Sequence, residues 1–395
     1  MITMMNRNLR KLFLIILYSL ITSCLSAQYL IYSDSIPVQH IRVPLPYLKG
    51  GTIQDNITDI QYFPLEIKEK ADIINRVSDI VANAHTIALY SNLFAKNSVS
   101  SSFYMYGGDG NLKHRFSTIN DFKSSTINEI KPCDDGFIIR TGDSAIQIDT
   151  MGEWKKSPNP LNDLSDSVYM DKTTSWYYQS FRQRESGPIK VGLYKNNIPY
   201  ISYITGSKPN LLYDLDKPFS PYAKRENTAY STFPFSTDVF ELSDKEIRNV
   251  YRFIFPLDYT LDTAQYRLVN DEEGKKAFDW KHPHTIHGFD NVIRYRNYLI
   301  LQLKYLKGDS QWIALNLNTN DIVDLESLLP DPSSDYMPII GAHKRLISNG
   351  EYLYSILYPN EIVDQNEEKG SRPITDRARS LSKSKNPILV RFKLK

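Results

Sequence analysis

An all-β fold, a six-bladed β-propeller with four-stranded blades, is what this sequence predicts, and three observations predict it. A strand–turn–strand pattern returns five times along the chain, half a copy ends it, and one strand-like segment near the N-terminus has no other partner. The pattern reads SSFYMYGGDGNLKHRF from Ser101, SAIQIDTMGEWKK from Ser144, KVGLYKNNIPYISYI from Lys190, DVFELSDKEIRNVYRF from Asp238 and QWIALNLNTNDIVDL from Gln311. The half-copy is NPILVRFKLK, from Asn386 to Lys395. Repetition over tens of residues marks an array in which each unit buries its apolar face on its neighbours.

The first 27 residues read as a targeting segment outside the fold. Arg7, Arg10 and Lys11 precede an apolar stretch from Leu12 to Ile21, too short to span a bilayer and flanked like a secretory signal. Ile21-Thr22-Ser23-Cys24 has the form of a lipobox, in which Cys24 is acylated. Leu25-Ser26-Ala27 before Gln28 has the form of an ordinary cleavage site, so both processings stay open. Acylation would anchor the protein to a membrane without spanning it. Residues 28–56 read as an N-terminal segment and 57–395 as the propeller.

Within the array, Asp59 to Leu65 is the closing strand, expected to pair outside Val390 to Leu394 so that no sheet edge is left open. Ser78 to Val81 and Thr86 to Tyr90 precede the first hairpin, Ile127 to Ile130 and Gly136 to Arg140 the second, Ser167 to Met170 and Trp176 to Tyr178 the third. Val292 to Tyr295 and Tyr298 to Leu303 precede the fifth, and Arg345 to Ser348 and Tyr352 to Leu357 the last half-copy. For the fourth unit, Asn210 to Tyr213 and Thr232 to Phe235 are the strand assignments. The turns carry residues that tolerate positive φ: Gly107 to Asn111, Asp149 to Gly152, Lys195-Asn196-Asn197, Ser243-Asp244 and Asn318-Thr319-Asn320. Helical signal is weak; Thr375 to Ser384 is the one charged amphipathic candidate but is read as a loop insertion within the last blade, and Asp364 to Lys385 as a polar, mobile loop.

Three places carry a resemblance: Ile57 to Leu65 with its Tyr-Phe-Pro-Leu-Glu end, the repeated hairpins, and the terminal Asn386 to Lys395. The chain resembles the six-bladed, distantly NHL-like β-propeller proteins that Bacteroides-type bacteria export in many copies, often as lipoproteins. That resemblance implies the propeller fold and a periplasmic or outer-membrane-attached location. It brings no reaction and no site residues.

A formal net charge of +2 gives no field that would favour nucleic acid. With Cys24 removed or acylated, Cys133 has no disulfide partner and reads as a small buried residue in a strand-turn region. The 27 tyrosines suit pleated sheet surfaces, or an aromatic ligand surface such as a sugar site. There is no G-x-S-x-G elbow, no P-loop and no dinucleotide fingerprint.

The densest ionisable cluster runs from Asp279 to Asp290 and holds His282, His284 and His287. Alternate residues of an extended chain share a face, so His282 and His284 could chelate zinc together, with His287 reaching them only after a bend. The competing reading is a solvated structural loop. Asp134-Asp135 reads as a β-turn and Asp271-Glu272-Glu273 as a solvated loop, and neither forms an EF-hand-like calcium loop. Arg391, Lys393 and Lys395 share one face of the last strand and read as a solvated fringe that discourages edge pairing.

The expectation is therefore a non-enzymatic binding or scaffold protein of the cell envelope, a monomer without a required cofactor. Its ligand, a glycan or an envelope protein, is expected over the propeller mouth, near the insertions Ser207 to Tyr230 and Asp258 to Phe289. The rival is a lactonase-like or lyase-like propeller enzyme holding calcium or zinc.

Overall fold

The computed structural model describes residues 36–95, 98–117, 121, 126–133, 135–141, 144–156, 167–169, 175–182, 189–196, 198–204, 227–233, 236–262, 272–362 and 374–395. They are all-β, with 24 strands in six four-stranded sheets. The N-terminal segment supplies β1 (Val38–Arg42), a one-turn helix α1 (Ile53–Asn56) and β2 (Ile57–Pro64). Four consecutive strands, β3 (Asp79–Ala82), β4 (Thr86–Ala95), β5 (Ser98–Gly107) and β6 (Leu112–Ser117), make sheet I. Sheet II is β7 (Glu129–Cys133), β8 (Gly136–Thr141), β9 (Ser144–Asp149) and β10 (Trp154–Lys156). Sheet III is β11 (Ser167–Tyr169), β12 (Ser175–Arg182), β13 (Ile189–Lys195) and β14 (Ile198–Ile204).

Sheet IV contains β15 (Ala229–Thr232), β16 (Asp238–Leu242) and β17 (Ile247–Ile254), and β1 completes it. After helix α2 (Glu272–Lys281), sheet V is β18 (Ile286–Tyr295), β19 (Tyr298–Tyr305), β20 (Ser310–Asn316) and β21 (Ile322–Asp324). Sheet VI contains β22 (Leu346–Ser348), β23 (Leu353–Leu357) and, after helix α3 (Asp376–Leu381), β24 (Ile388–Leu394); β2 completes it. The half-copy is the single strand β24, and the five expected hairpins are present. Their turns use the expected chemistry: Gly110, Gly152, Asn196 and Asn320 all have positive φ.

The strands are where burial on both faces favours them. β23 is buried at every position and β19 at all but Tyr298 and Lys304, the pattern of central strands covered by neighbouring sheets. First strands of successive sheets lie against one another: β3 against β7, β15 against β18, β18 against β22. The last sheet then meets the first, because β22 lies against β3. Arg345 spans that junction, 3.6 Å from the Asp79 carboxylate and donating to Ser78 O at 2.9 Å.

The closing pair is as expected. β2 runs antiparallel to β24, with Tyr62 opposite Val390, Phe63 opposite Leu389 and Pro64 opposite Ile388. A bulge between Thr58 and Gln61, with Asp59 at φ 52, re-aims the strand midway. Pro64 is tolerable because it ends an edge strand. Asn386 locks the approach to this pair. Its buried side chain accepts from Ile74 N at 2.7 Å and donates to Asp72 O at 3.0 Å and Leu65 O at 3.3 Å.

Segment 28–56, read as preceding the array, itself supplies a strand to it. Besides β2, residues 38–42 pair in parallel with β17, Val38 opposite Val250 and Arg42 opposite Ile254. Between the two strands the chain straps sheet V: Leu329 N donates to Gly51 O at 2.8 Å and Ile53 N to Leu329 O at 3.0 Å. Gly50 is required there, since a Cβ would come within 2.5 Å of Leu328 N.

Four further expectations need correction. In unit four, β15 ends at Thr232 where the strand was expected to begin; Asn210 to Tyr213 lies outside the described residues. Trp176 Nε1 donates to Ser243 O at 2.7 Å and Lys195 Nζ donates to Lys245 O, so the β16–β17 turn shares an end with the β13–β14 turn. Glu272 and Glu273 open helix α2 instead of lying in a loop. From Thr375 the supposed loop is helix α3, with Thr375 accepting from Ala378 N, and Ala378 and Leu381 buried. Finally, β24 is an inner strand, and its basic residues are engaged: the Arg391 guanidinium lies 4.5 Å from the Tyr352 ring and Lys393 Nζ 4.0 Å from it.

Candidate ligand-binding cleft

The N-terminal residues of β15 and the C-terminal residues of β18 meet where sheets IV and V diverge, and an open cleft of about 410 Å³ lies between them. Its floor is built by strand alternation, which sends Tyr230 and Tyr251 to one side of sheet IV. Both rings are buried, tilted at 42° with centroids 6.5 Å apart. Thr228 lines the cleft beside them, 3% exposed, and its Oγ1 has no hydrogen-bond partner among the described residues.

Half-buried Glu241 and Arg294 form the walls. Tyr251 Oη donates to Glu241 Oε2 at 2.8 Å. Burial pushes the Tyr251 phenol up to about 12; the Asn249 hydrogen bond and Arg294 oppose the rise, while the Glu241 carboxylate adds to it. The phenol therefore stays a neutral donor throughout ordinary pH. Arg294 Nη1 donates to Tyr298 O at 3.3 Å, which holds the guanidinium against the β18–β19 turn.

The rim is exposed and polar: Arg248 from β17, and Arg296 and Asn297 from the turn. Arg296 sits at φ 50 with its guanidinium 5.3 Å from the Tyr295 ring. Three arginines and one glutamate give the lining a formal charge of 3 − 1 = +2. A concave site with a buried aromatic floor and a few converging polar groups is the usual form of a small-molecule site.

The histidine cluster is elsewhere, and its expected geometry is not found. Helix α2 runs to Lys281; His282 N donates to Phe278 O at 3.0 Å, and Pro283 and His284 follow in a turn. The chain is therefore not extended there, and His282 and His284 do not share the face of a strand. The His282 ring packs on Phe278 at 4.5 Å, His284 lies 6.4 Å from Tyr259, and His287 is buried in β18. Among the described residues no group of three or more His, Cys, Asp or Glu side chains is placed to hold a metal ion. Asp135 O accepts from Thr150 N in a turn, and Gln147 Nε2 lies 3.9 Å from Cys133 Sγ. Cys24 and the first 27 residues lie outside the described residues.

Near His284, Lys344 Nζ bridges Asp309 Oδ1 at 2.9 Å and Glu326 Oε2 at 3.0 Å. Burial raises Glu326 although Lys344 opposes it, while Asp309 is held low because its bonds to Lys344 and Ser310 outweigh its own burial. The trio ties sheets V and VI and is separate from the cleft.

Of the cleft residues, the sequence flagged only Thr228 and Tyr230, at the end of one insertion. Arg294 and Arg296 carried a usable signal, two basic residues at strand spacing just before a turn. Arg248 carried none, because its partners arrive from a sheet distant in sequence.

No family model matches the chain. No curated protein matches it. Among solved structures it is similar to a protein of Bacteroides fragilis assigned as exported, with 11% identity, a TM-score of 0.54, and coverage of 91% of this chain and 99% of that one. A member of the DUF4221 family from Bacteroides vulgatus matches with 13% identity and a TM-score of 0.45, covering 86% of this chain and 97% of that one. The first likeness, over nearly the full length of both chains, shows a shared fold. Among the described residues no helix is long and apolar enough to cross a membrane.

Proposed function

We propose that this is an exported binding protein whose ligand docks in the cleft between sheets IV and V. The six sheets are taken as the blades of a six-bladed β-propeller. The contact of β22 with β3 and the pairing of β2 with β24 support that reading, because both return the end of the array to its beginning. Export rests on the signal-like first 27 residues, with Cys24 as the acylation site or Ala27 as the last residue removed. The single observation that carries the binding role is the cleft, whose buried tyrosine floor and basic, exposed rim are arranged for contact with a small polar ligand. The cleft lies beside the β18–β19 turn, and Thr228 and Tyr230, at the end of one insertion, line it.

The test is a glycan array together with a pull-down from envelope extracts, each run with the wild type and with Asn297→Trp. Asn297 is exposed at the rim, and an indole there would fill the entrance without touching the core. A ligand captured by the wild type and lost by the variant supports the role. Capture that survives the plugged entrance, or no capture in either assay, overturns it.

A further inference from the structure

We infer that the ligand is a carboxylated saccharide, a uronic acid or a glycan that ends in one; this rests on the cleft being the binding site. The charge of the lining comes first. Its formal +2 favours an anion over a neutral sugar, and the half-buried position of Arg294 reduces solvent screening there. The form of the charge comes second. All the cationic groups are guanidiniums, whose planar forks match the two oxygens of a carboxylate.

Glu241 narrows the class further. A phosphate group would bring more charge, and a sulfate ester more oxygens, toward that carboxylate, whereas a sugar brings hydroxyls that donate to it. Glu241 Oε2 already accepts from Tyr251, and a carboxylate has further lone pairs to offer. Asn297 adds an amide that both donates and accepts. The volume of about 410 Å³ suits one or two sugar rings. The buried tyrosine floor gives an apolar surface below, and the rim gives the anion partners above.

The experiment is calorimetric titration of the full mature chain with four probes at pH 7: glucuronate, galacturonate, glucose and glucose 6-phosphate. Wild type is compared with Arg296→Gln, Arg248→Gln and Asn297→Trp, with melting temperatures as the folding control. The expected result is that a uronate binds at least about tenfold more tightly than glucose, the size of one charged hydrogen bond. Each arginine variant should remove about tenfold of uronate affinity, lower glucose affinity by clearly less than that, and keep the melting temperature. Binding of glucose as tight as glucuronate, lost in Asn297→Trp, overturns the carboxylate inference and keeps the cleft. Tighter binding of glucose 6-phosphate than of either uronate also overturns it. Binding that persists in Asn297→Trp, or no binding by any probe, removes the inference and counts against the cleft as well.

Discussion

Sheets IV and VI are both completed by the N-terminal segment, but in opposite ways. In sheet VI, β2 pairs antiparallel with β24 over Ile57 to Pro64 and brings buried Ile57, Tyr62 and Leu65 with it. Tyr62 Oη donates toward Met337 O and Pro338 O, both at 3.1 Å, from inside the core. In sheet IV, β1 pairs in parallel with β17 and buries Ile41 as its one fully covered residue. Both are edge strands that reach the core, but β2 itself buries Ile57 and Tyr62 where β1 itself buries only Ile41, with Val43 and Leu45 buried just beyond it. The difference teaches that closure of an array is set by side chains carried with the strand more than by backbone pairing. It predicts unequal costs for undoing the two.

Removing residues 386–395 is the severest way to probe the comparison. The deletion takes away β24 between β23 and β2 and leaves two edges and a large apolar surface exposed. The truncated protein should aggregate or show no cooperative melt by calorimetry. A melting temperature equal to that of the intact chain would refute core closure in sheet VI.

A single residue should reproduce much of that loss. Asn386→Ala leaves Ile74 N, Asp72 O and Leu65 O without their partner in a buried place. Stranding buried polar groups costs about 1–3 kcal/mol each, and local relaxation reduces the sum, so about 3 kcal/mol in urea denaturation is expected. A loss below about 0.5 kcal/mol would show that the clamp contributes little.

Deleting residues 28–42 removes β1 but keeps the strap and β2. Among the described residues removed, Ile41 is the buried side chain lost, and the expected cost is about 1–2 kcal/mol with cooperative unfolding retained. A cost equal to that of Asn386→Ala would erase the distinction between the sheets.

Alkaline titration sharpens the contrast within sheet VI. Burial pushes the Tyr354 phenol on β23 up to about 12, with the nearby Arg391 opposing the rise. A tyrosine raised in the folded state is favoured there in its neutral form. Its stability contribution is therefore complete below pH 10, the unfolded value, and is lost as pH climbs from 10 toward 12. Tyr354→Phe should lessen the fall in melting temperature across that window; an unchanged slope would assign the fall to other tyrosines.

How much of this was legible in the sequence follows the same division. The β2–β24 pairing was readable because Asp59 to Leu65 and the half-copy Asn386 to Lys395 each look like strands and each lacked a neighbour. β1 was not readable, since Val38-Gln39-His40-Ile41-Arg42 has one buried position and nothing local that points to a partner about 200 residues away. Helix α2 was hidden by Gly274 and by its polar composition, and His282 was misread because the helix runs up to it and a turn follows. The cleft was the least legible feature, because its walls come from two sheets that only tertiary packing brings together.

The smallest expected effect tests whether β1 is held by its edge alone. Gln39 Nε2 donates to Asn320 Oδ1 at 2.9 Å, an exposed bond that joins β1 to the β20–β21 turn of sheet V. Water can replace either partner, so Gln39→Ala should cost no more than about 0.5 kcal/mol. Asn320 has φ 62, where alanine is strained, so the partner change should be Asn320→Gly. In a double-mutant cycle the coupling between the two should be near zero if β1 is positioned by Ile41 and the β17 ladder. A coupling above about 1 kcal/mol would mean that the polar contact with sheet V positions β1, and the strip on sheet IV would then be a second structural closure.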